Sequence, residues 1–280
     1  MPDYFLFLLL LIAALSHAIC HSILKHNKNP LGILGITSIF EIIIFTPLIF
    51  TVPFPTTFLW VLIITSALLH GLYRLLVIFS YNYGELSFIY PIARGSSSLL
   101  LAVISLIYLN DKISLIGFVG ILIVCVGLFL ISYSEKKEFN YMAFGLGFLT
   151  AIMITAYTLV DGIAVRHSSN PYTFLYWMLL LNGTPALIAS VLFKNNGIRI
   201  FNTNLLLMGI AFGILAPLAY GIVVWCMQYL AIAYVSSIRE TSIIFATLIG
   251  LFILKENTAS KRVIPSIFVV LGVALLYFQI

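Results

Sequence analysis

The run Phe88-Ile89-Tyr90-Pro91-Ile92-Ala93-Arg94-Gly95 sets a guanidinium inside a segment otherwise apolar enough to cross a bilayer. A charge at that depth costs about 2.5–3.5 kcal/mol even on lenient insertion scales, so something specific must compensate it. The chain repeats the arrangement 145 residues later, where Ser237-Ile238-Arg239-Glu240-Thr241 opens another apolar segment. The shift that takes Arg94 to Arg239 also carries Ser97 onto Ser242, Leu106 onto Leu251, Leu109 onto Leu254, Val124 onto Val269 and Gly127 onto Gly272. Asp111 falls on Glu256, a conservative match. The two halves read as copies of one unit, each contributing one buried arginine.

Of the 280 residues, 62% are hydrophobic and 8% charged. A soluble globule usually carries about a quarter charged residues, so this composition specifies an integral membrane protein. The net charge of +5 does not point to nucleic acid, because most Lys and Arg lie in short connections between apolar runs, where they act as topology signals. Cys20, Cys125 and Cys226 sit within apolar runs without metal spacing and read as small buried side chains. Ser16-His17-Ala18 faintly resembles a cleavage site, but Met1 to Tyr4 lacks a basic stretch, so the first run is read as a retained helix.

Runs of about 20 apolar residues suffice to cross the hydrocarbon core as helices. Ten occur, at 4–24, 31–51, 57–79, 86–108, 113–132, 142–164, 172–193, 205–231, 234–254 and 262–279. Breakers such as Asn29-Pro30, Pro53-Phe54-Pro55 and Asn170-Pro171 separate them. Their length, without period-two alternation, argues for helices and against barrel strands. The expected fold is all-α: ten transmembrane helices as two five-helix repeats, 1–134 and 141–280, joined by the charged connector 135–140 in one membrane domain. An odd number of helices per repeat inverts the second copy, and such inverted repeats place a site between the halves near mid-bilayer. Connections after odd-numbered runs hold Lys25, Lys28, Lys136, Lys137, Lys194, Arg199, Lys255, Lys261 and Arg262, against Lys112 and Arg166 on the other side. The positive-inside rule then puts both termini on the non-cytoplasmic side.

The order His17-Ala18, Lys25, His70-Gly71-Leu72-Tyr73, Gly84-Glu85-Leu86-Ser87 and Tyr90-Pro91-Ile92-Ala93-Arg94-Gly95 resembles the EamA-like branch of the drug/metabolite transporter superfamily. Tyr157-Thr158-Leu159-Val160-Asp161-Gly162 and Arg239-Glu240-Thr241-Ser242 look like the same branch, and Asp111 and Glu256 match its acidic position. Two positions depart from it, His21 where an asparagine is expected and Cys20 where an aromatic residue is frequent. The resemblance implies a ten-helix inverted-repeat bundle moving small metabolites by alternating access, without nucleotide hydrolysis.

Among side chains that could carry function, the Arg94 and Arg239 guanidiniums suit a carboxylate or phosphonate in a dry cavity; the competing role is pairing with Glu240 or Asp161. Pro91 removes a helical hydrogen bond beside Tyr90. Asp161, Glu240 and Glu41 are the acids deep in apolar runs, candidates for proton coupling or internal ion pairs. Tyr90, Tyr157, Trp225, His17 and Ser97 are expected to shape the pocket, with Tyr73, Trp177 and Tyr220 as further aromatics. His17 and His21 share a helix face but have no evident third ligand, so no metal is expected. His70 and Arg74 share a face of the third run, with Arg74 placed to snorkel. Gly117 with Gly120, Gly145 with Gly147 and Gly209 with Gly213 read as close-packing faces.

No phosphate loop, dinucleotide fingerprint, His-Glu-x-x-His or Gly-x-Ser-x-Gly occurs, so neither an enzyme nor a cofactor is expected. The function read from the sequence is secondary transport of a small polar metabolite, carboxylate- or phosphonate-bearing and amino acid-like in size, in a bacterial inner membrane. Its partners are that small molecule, membrane lipid and candidate coupling protons, with no nucleic acid, in a monomer or weak homodimer. Two rivals stay open: an exporter of amphipathic cations or drugs using Glu41, Asp161 and Glu240 with the aromatics, and a lipid-linked scramblase or head-group enzyme.

Overall fold

The computed structural model describes residues 3–25, 29–80, 83, 86–109, 111–134, 140–192, 203–253 and 263–279. Among them the chain is helical, without strands. In order, the helices are α1 (Asp3–Lys25), α2 (Pro30–Ile49), α3 (Thr57–Ser80), α4 (Leu86–Tyr108), α5 (Leu115–Ser134) and α6 (Tyr141–His167). The rest are α7 (Pro171–Asn182), α8 (Thr184–Leu192), α9 (Thr203–Cys226), α10 (Ile232–Arg239), α11 (Ser242–Leu248) and α12 (Val263–Tyr277). A π-helical turn, Ile249–Ile253, continues α11. Topology signals at Lys28, Lys136, Lys137, Lys194, Arg199, Lys255, Lys261 and Arg262 lie outside the described residues, as do Glu256 and most of the connector 135–140. The side chains of His21, Lys25 and Arg74 also fall outside them.

Two of the sequence breakers start helices. Asn29 and Asn170 accept hydrogen bonds from the Gly32 and Tyr172 amides, and each precedes a proline at the first helical position, where a missing N–H costs nothing. Asn140 caps α6 the same way, accepting from the Met142 and Ala143 amides at 3.0 and 3.1 Å. Inside α4, Ser132 of α5 donates to the Phe88 carbonyl at 2.9 Å, in the turn that Pro91 opens.

Among the described residues, six helical stretches are long and apolar enough to cross a bilayer: Gly32–Ile49, Phe88–Tyr108, Leu115–Ser132, Tyr141–His167, Thr203–Cys226 and Ile232–Ile253. Shorter apolar helices, Tyr4–Cys20, Thr57–Tyr73 and Val263–Tyr277, accompany them. The chain is an integral membrane protein, and its radial polarity is that of one. Leu8, Ile43, Leu68, Ile107, Phe252 and Ile264 are exposed, while Arg94, Arg239, Asp161, Glu240 and Glu41 are buried.

Three runs read as continuous are interrupted. The run 172–193 divides at Gly183, because Pro185 brings no amide and the Thr184 hydroxyl bonds the Leu181 carbonyl instead, at 2.7 Å. The run 205–231 is helical only to Cys226. Beyond it Arg166 takes the Met227 and Leu230 carbonyls at 2.8 and 2.9 Å, and its Nη1 meets Asp111 Oδ1 at 2.9 Å. The other Asp111 oxygen accepts from the Ile232 amide at 3.1 Å, where α10 begins. The third break, at Glu240 and Thr241, separates α10 from α11 inside the bundle.

The halves interleave. α1 packs on α9, α10 and α11; α3 on α6 and α7; α2 on α7, α8 and α9; α4 on α5, α6 and α10; and α5 on α12. The α5–α12 seam is closed by glycines. A Cβ at Gly272 would lie 2.6 Å from the Gly120 carbonyl oxygen and 2.7 Å from Val124, and one at Gly127 would lie 2.9 Å from both the Pro265 carbonyl oxygen and Val269. Gly209 and Gly213 face Ile36 and Phe40, and Gly147 faces Ile92, as close-packing positions should. Gly145 is the exception: nothing among the described residues lies within 4 Å of its Cβ position, so it does not share Gly147's packing role.

Overpacking a tight seam costs about 1–3 kcal/mol, so Gly272→Ala is expected to lower the melting temperature of the purified protein in detergent. Gly145→Ala, into open space, should leave it unchanged or raise it. Equal melting of the two variants would remove the glycine seam as a packing constraint.

Candidate functional site

The site grows from the break between α10 and α11. Here the Glu240 amide bonds back to Ser237 at 3.2 Å, while the Thr241 amide and hydroxyl both reach the Ile238 carbonyl, at 3.0 and 2.8 Å. This tightened turn ends α10 at Arg239 and turns Glu240 toward α4. Arg94 Nε donates to Glu240 Oε2 at 3.0 Å, and Arg94 Nη2 lies 2.5 Å from Oε1. Both side chains are 2% exposed, so the two charges neutralise each other out of water. The Arg94 guanidinium carbon also lies 5.9 Å from the centre of the Tyr90 ring, whose hydroxyl is 3.2 Å from His17 Nε2 on α1. Thus α1, α4 and the α10 break meet through His17, Tyr90, Arg94 and Glu240.

Arg239 is placed differently. It is 4% exposed, yet its Nε and Nη2 have no hydrogen-bond partner among the described residues. The repeat explains this. Shifting by 145 residues puts Glu240, the partner of Arg94, onto Gly95, which brings no carboxylate for Arg239. Arg239 lies within Coulombic reach of Tyr90 and Tyr220.

A second polar cluster joins α3, α6 and α9. Asp161 is fully buried; its Oδ2 accepts from the Tyr220 hydroxyl and lies 3.2 Å from His70 Nε2. Its Oδ1 has no partner among the described residues. The His70 ring stacks on Tyr157 with centroids 3.9 Å apart, and Tyr73 and Tyr220 approach Tyr157 at 5.5 and 6.3 Å.

The remaining predicted residues divide. Tyr157 and Tyr90 belong to these clusters. Ser97 is buried, but its hydroxyl donates to the Arg94 carbonyl at 2.9 Å, so it braces α4. Trp225 meets Tyr229 at 5.0 Å near the end of α9, and Trp177 joins Phe54 and Trp60 in an aromatic group between α7 and the start of α3. Glu41 is buried on α2, its Oε2 beside Gly183 at the α7–α8 break. The three cysteine thiols are free and buried, and Cys125 Sγ lies 3.3 Å from the Gly95 carbonyl oxygen. Sequence reasoning left His70 out of the site and named Tyr220 only among the further aromatics. The available signal was an imidazole in an apolar run, but its partner Asp161 lies 91 positions away.

Removing one partner from a buried ion pair strands the other and costs about 3–5 kcal/mol. Arg94→Met and Glu240→Leu are each expected to lose roughly that much stability, while the double variant recovers most of it. Additive losses in a double-mutant cycle would mean that the pair does not hold α4 to α10.

A solved structure titled "Crystal structure of protein" superposes with a TM-score of 0.77 over 99% of this chain and 99% of its own, at 11% identity, which is a likeness of fold. A comparison with curated proteins finds no match. Residues 142–278, which hold α9, α10 and both clusters' second-half members, match the EamA-like transporter family. That match, over the second half of the chain, is to a family of membrane transporters in the drug/metabolite superfamily.

Proposed function

We propose that this protein is a secondary transporter for a small polar metabolite bearing a carboxylate or phosphonate, moved by alternating access between two inverted five-helix repeats in a bacterial inner membrane. The observation that carries the reading is Arg239, a buried guanidinium with two nitrogens unpartnered among the described residues. A planar fork of that kind suits a planar or tetrahedral anion. In this reading Arg239 holds the anionic group and the Arg94–Glu240 pair forms the adjoining wall. Tyr90 and Tyr157 shape the pocket, with His17 orienting Tyr90; Ser97 and Trp225 act from the helices behind.

The inverted repeat is supported by reciprocal contacts. Under the 145-residue shift, Gly127 corresponds to Gly272 and Gly120 to Pro265. Gly120 meets Gly272, and Gly127 meets Pro265. Likewise Val124 meets Gly272 and Gly127 meets Val269, the exchanged pair. Reciprocity of this kind is the mark of a two-fold axis passing through a seam. The helix pairs α1–α9 and α3–α6 exchange in the same way.

One observation favours a different cargo. Asp161 Oδ1 has no hydrogen-bond partner among the described residues, and Asp161 contacts His70 and Tyr220 of an aromatic group with Tyr157, a setting that fits an organic cation. Thermal stabilisation of the purified protein by pyruvate, propionate, methylphosphonate and tetramethylammonium separates the two. Stabilisation by the anions, lost in Arg239→Gln and weakened in Arg239→Lys, is the expected result. Stabilisation by tetramethylammonium, lost in Asp161→Asn and kept in Arg239→Gln, would establish the cation reading instead.

A further inference from the structure

Several hydroxyls inside this bundle close on a carbonyl of their own helix. Thr150 donates to Leu146 at 2.7 Å, Thr155 to Ala151 at 2.8 Å, Ser97 to Arg94 at 2.9 Å and Thr241 to Ile238 at 2.8 Å. Ser98 on α4 and Ser236 on α10 depart from that pattern. They are 0% and 1% exposed, and neither Oγ has a hydrogen-bond partner among the described residues. A hydroxyl buried in that way is costly, so a polar group belongs beside each.

What distinguishes this pair from other buried hydroxyls is its register. α4 and α10 run antiparallel, since Asp111 just beyond α4 meets the Ile232 amide where α10 begins, and Arg94, deeper in α4, meets Glu240 where α10 ends. Ser98 stands four residues after Arg94 and Ser236 four before Glu240, and residues four apart share a helix face. Both serines therefore lie one turn from the ion pair, toward the Asp111 end, on facing helix surfaces and at the same level. Ser236 is also three residues before Arg239, which puts these two on one face as well. Long helical side chains lean back over the preceding turn, which carries the Arg239 guanidinium toward Ser236. Tyr90 is within Coulombic reach of Arg94, Glu240 and Arg239 alike, so the fork and the ion pair share one neighbourhood.

Opposed hydroxyls favour a guest that matches them. A guest hydroxyl accepts from one serine and donates to the other, a chain in which each bond polarises the next. A ketone offers no proton to that chain, an ammonium no lone pair, and a methylene neither. Charge also weighs against an ammonium: Glu240, the acid on this face, is already neutralised by Arg94, and Arg239 repels a cation.

We propose that Ser98 and Ser236 form a hydroxyl subsite beside Arg239 and that the transported anion is a 2-hydroxy acid, its carboxylate on the Arg239 fork and its hydroxyl between the two serines. In such an acid the hydroxyl is on the carbon next to the carboxylate, which matches a serine and a guanidinium on adjacent turns of one face. This rests on the anion reading above and adds the chemical class of the substrate.

The test ranks propionate, pyruvate, alanine and each enantiomer of lactate, acids of nearly one size, by thermal stabilisation of the purified full-length protein in detergent over a concentration series. The better lactate enantiomer should bind about two- to tenfold more tightly than propionate, the span of one net hydrogen bond, and more tightly than pyruvate or alanine. In Ser236→Ala and in Ser98→Ala the lactate preference over propionate should disappear, and Arg239→Gln should lose every acid. Equal binding of lactate and propionate by wild type, both lost in Arg239→Gln, overturns the hydroxyl subsite and leaves the anion site standing. A lactate preference that survives both serine variants, or tighter binding of pyruvate or alanine than of lactate, overturns the subsite in the same way. Absence of binding by every acid of the panel overturns both readings. Should a serine variant fail to fold, the wild-type order of the acids decides the matter alone.

Discussion

A carboxylate and a guanidinium removed from water must find each other, and the contact between Arg94 and Glu240 is where this bundle meets that demand. The pair joins the middle of α4 to the turn that ends α10, so two helices from opposite halves are fixed at one point and one orientation. The desolvation of each ion is large enough that neither can leave the contact alone. The contact also makes the two halves unequal. Once Glu240 faces Arg94, the neighbouring Arg239 points elsewhere, because adjacent residues at the end of a helix diverge by about 100°.

Much of this was legible in the chain. Long apolar runs located the helices, and the Asn-Pro pairs at 29–30 and 170–171 marked two of their starts, since both residues suit the first turn. The 145-residue shift brought the arginines forward as a pair. It also held, unread, the reason they differ, because aligning position 95 with 240 sets a glycine against a glutamate. Less accessible were contacts between distant positions. His70 and Asp161 are 91 residues apart, and no local pattern announces that a histidine on α3 will stand over a carboxylate on α6. Trp225 shows the converse: an aromatic residue deep in an apolar run is as well placed for a neighbouring ring as for a cargo.

The breaks in the helices were the hardest to foresee, for one physical reason. Composition records that a segment is apolar, whereas a helix inside a bundle ends where a side chain outbids its own next turn for a carbonyl. Arg166 does this at Met227 and Leu230, Thr241 at Ile238 and Thr184 at Leu181. Each break leaves backbone polar groups at depth, tolerable because protein, and not lipid, surrounds them. The Arg239–Thr241 break is the one that places backbone polarity beside the two charged clusters.

The contact between Asp111 and the Ile232 amide spans the two halves of the chain. During synthesis the aspartate emerges long before the amide and the Arg166 guanidinium that will meet it. A nascent chain that has made α1 to α5 therefore carries this acid before either of these two partners has been synthesised. That corner can close only after translation has passed the start of α10.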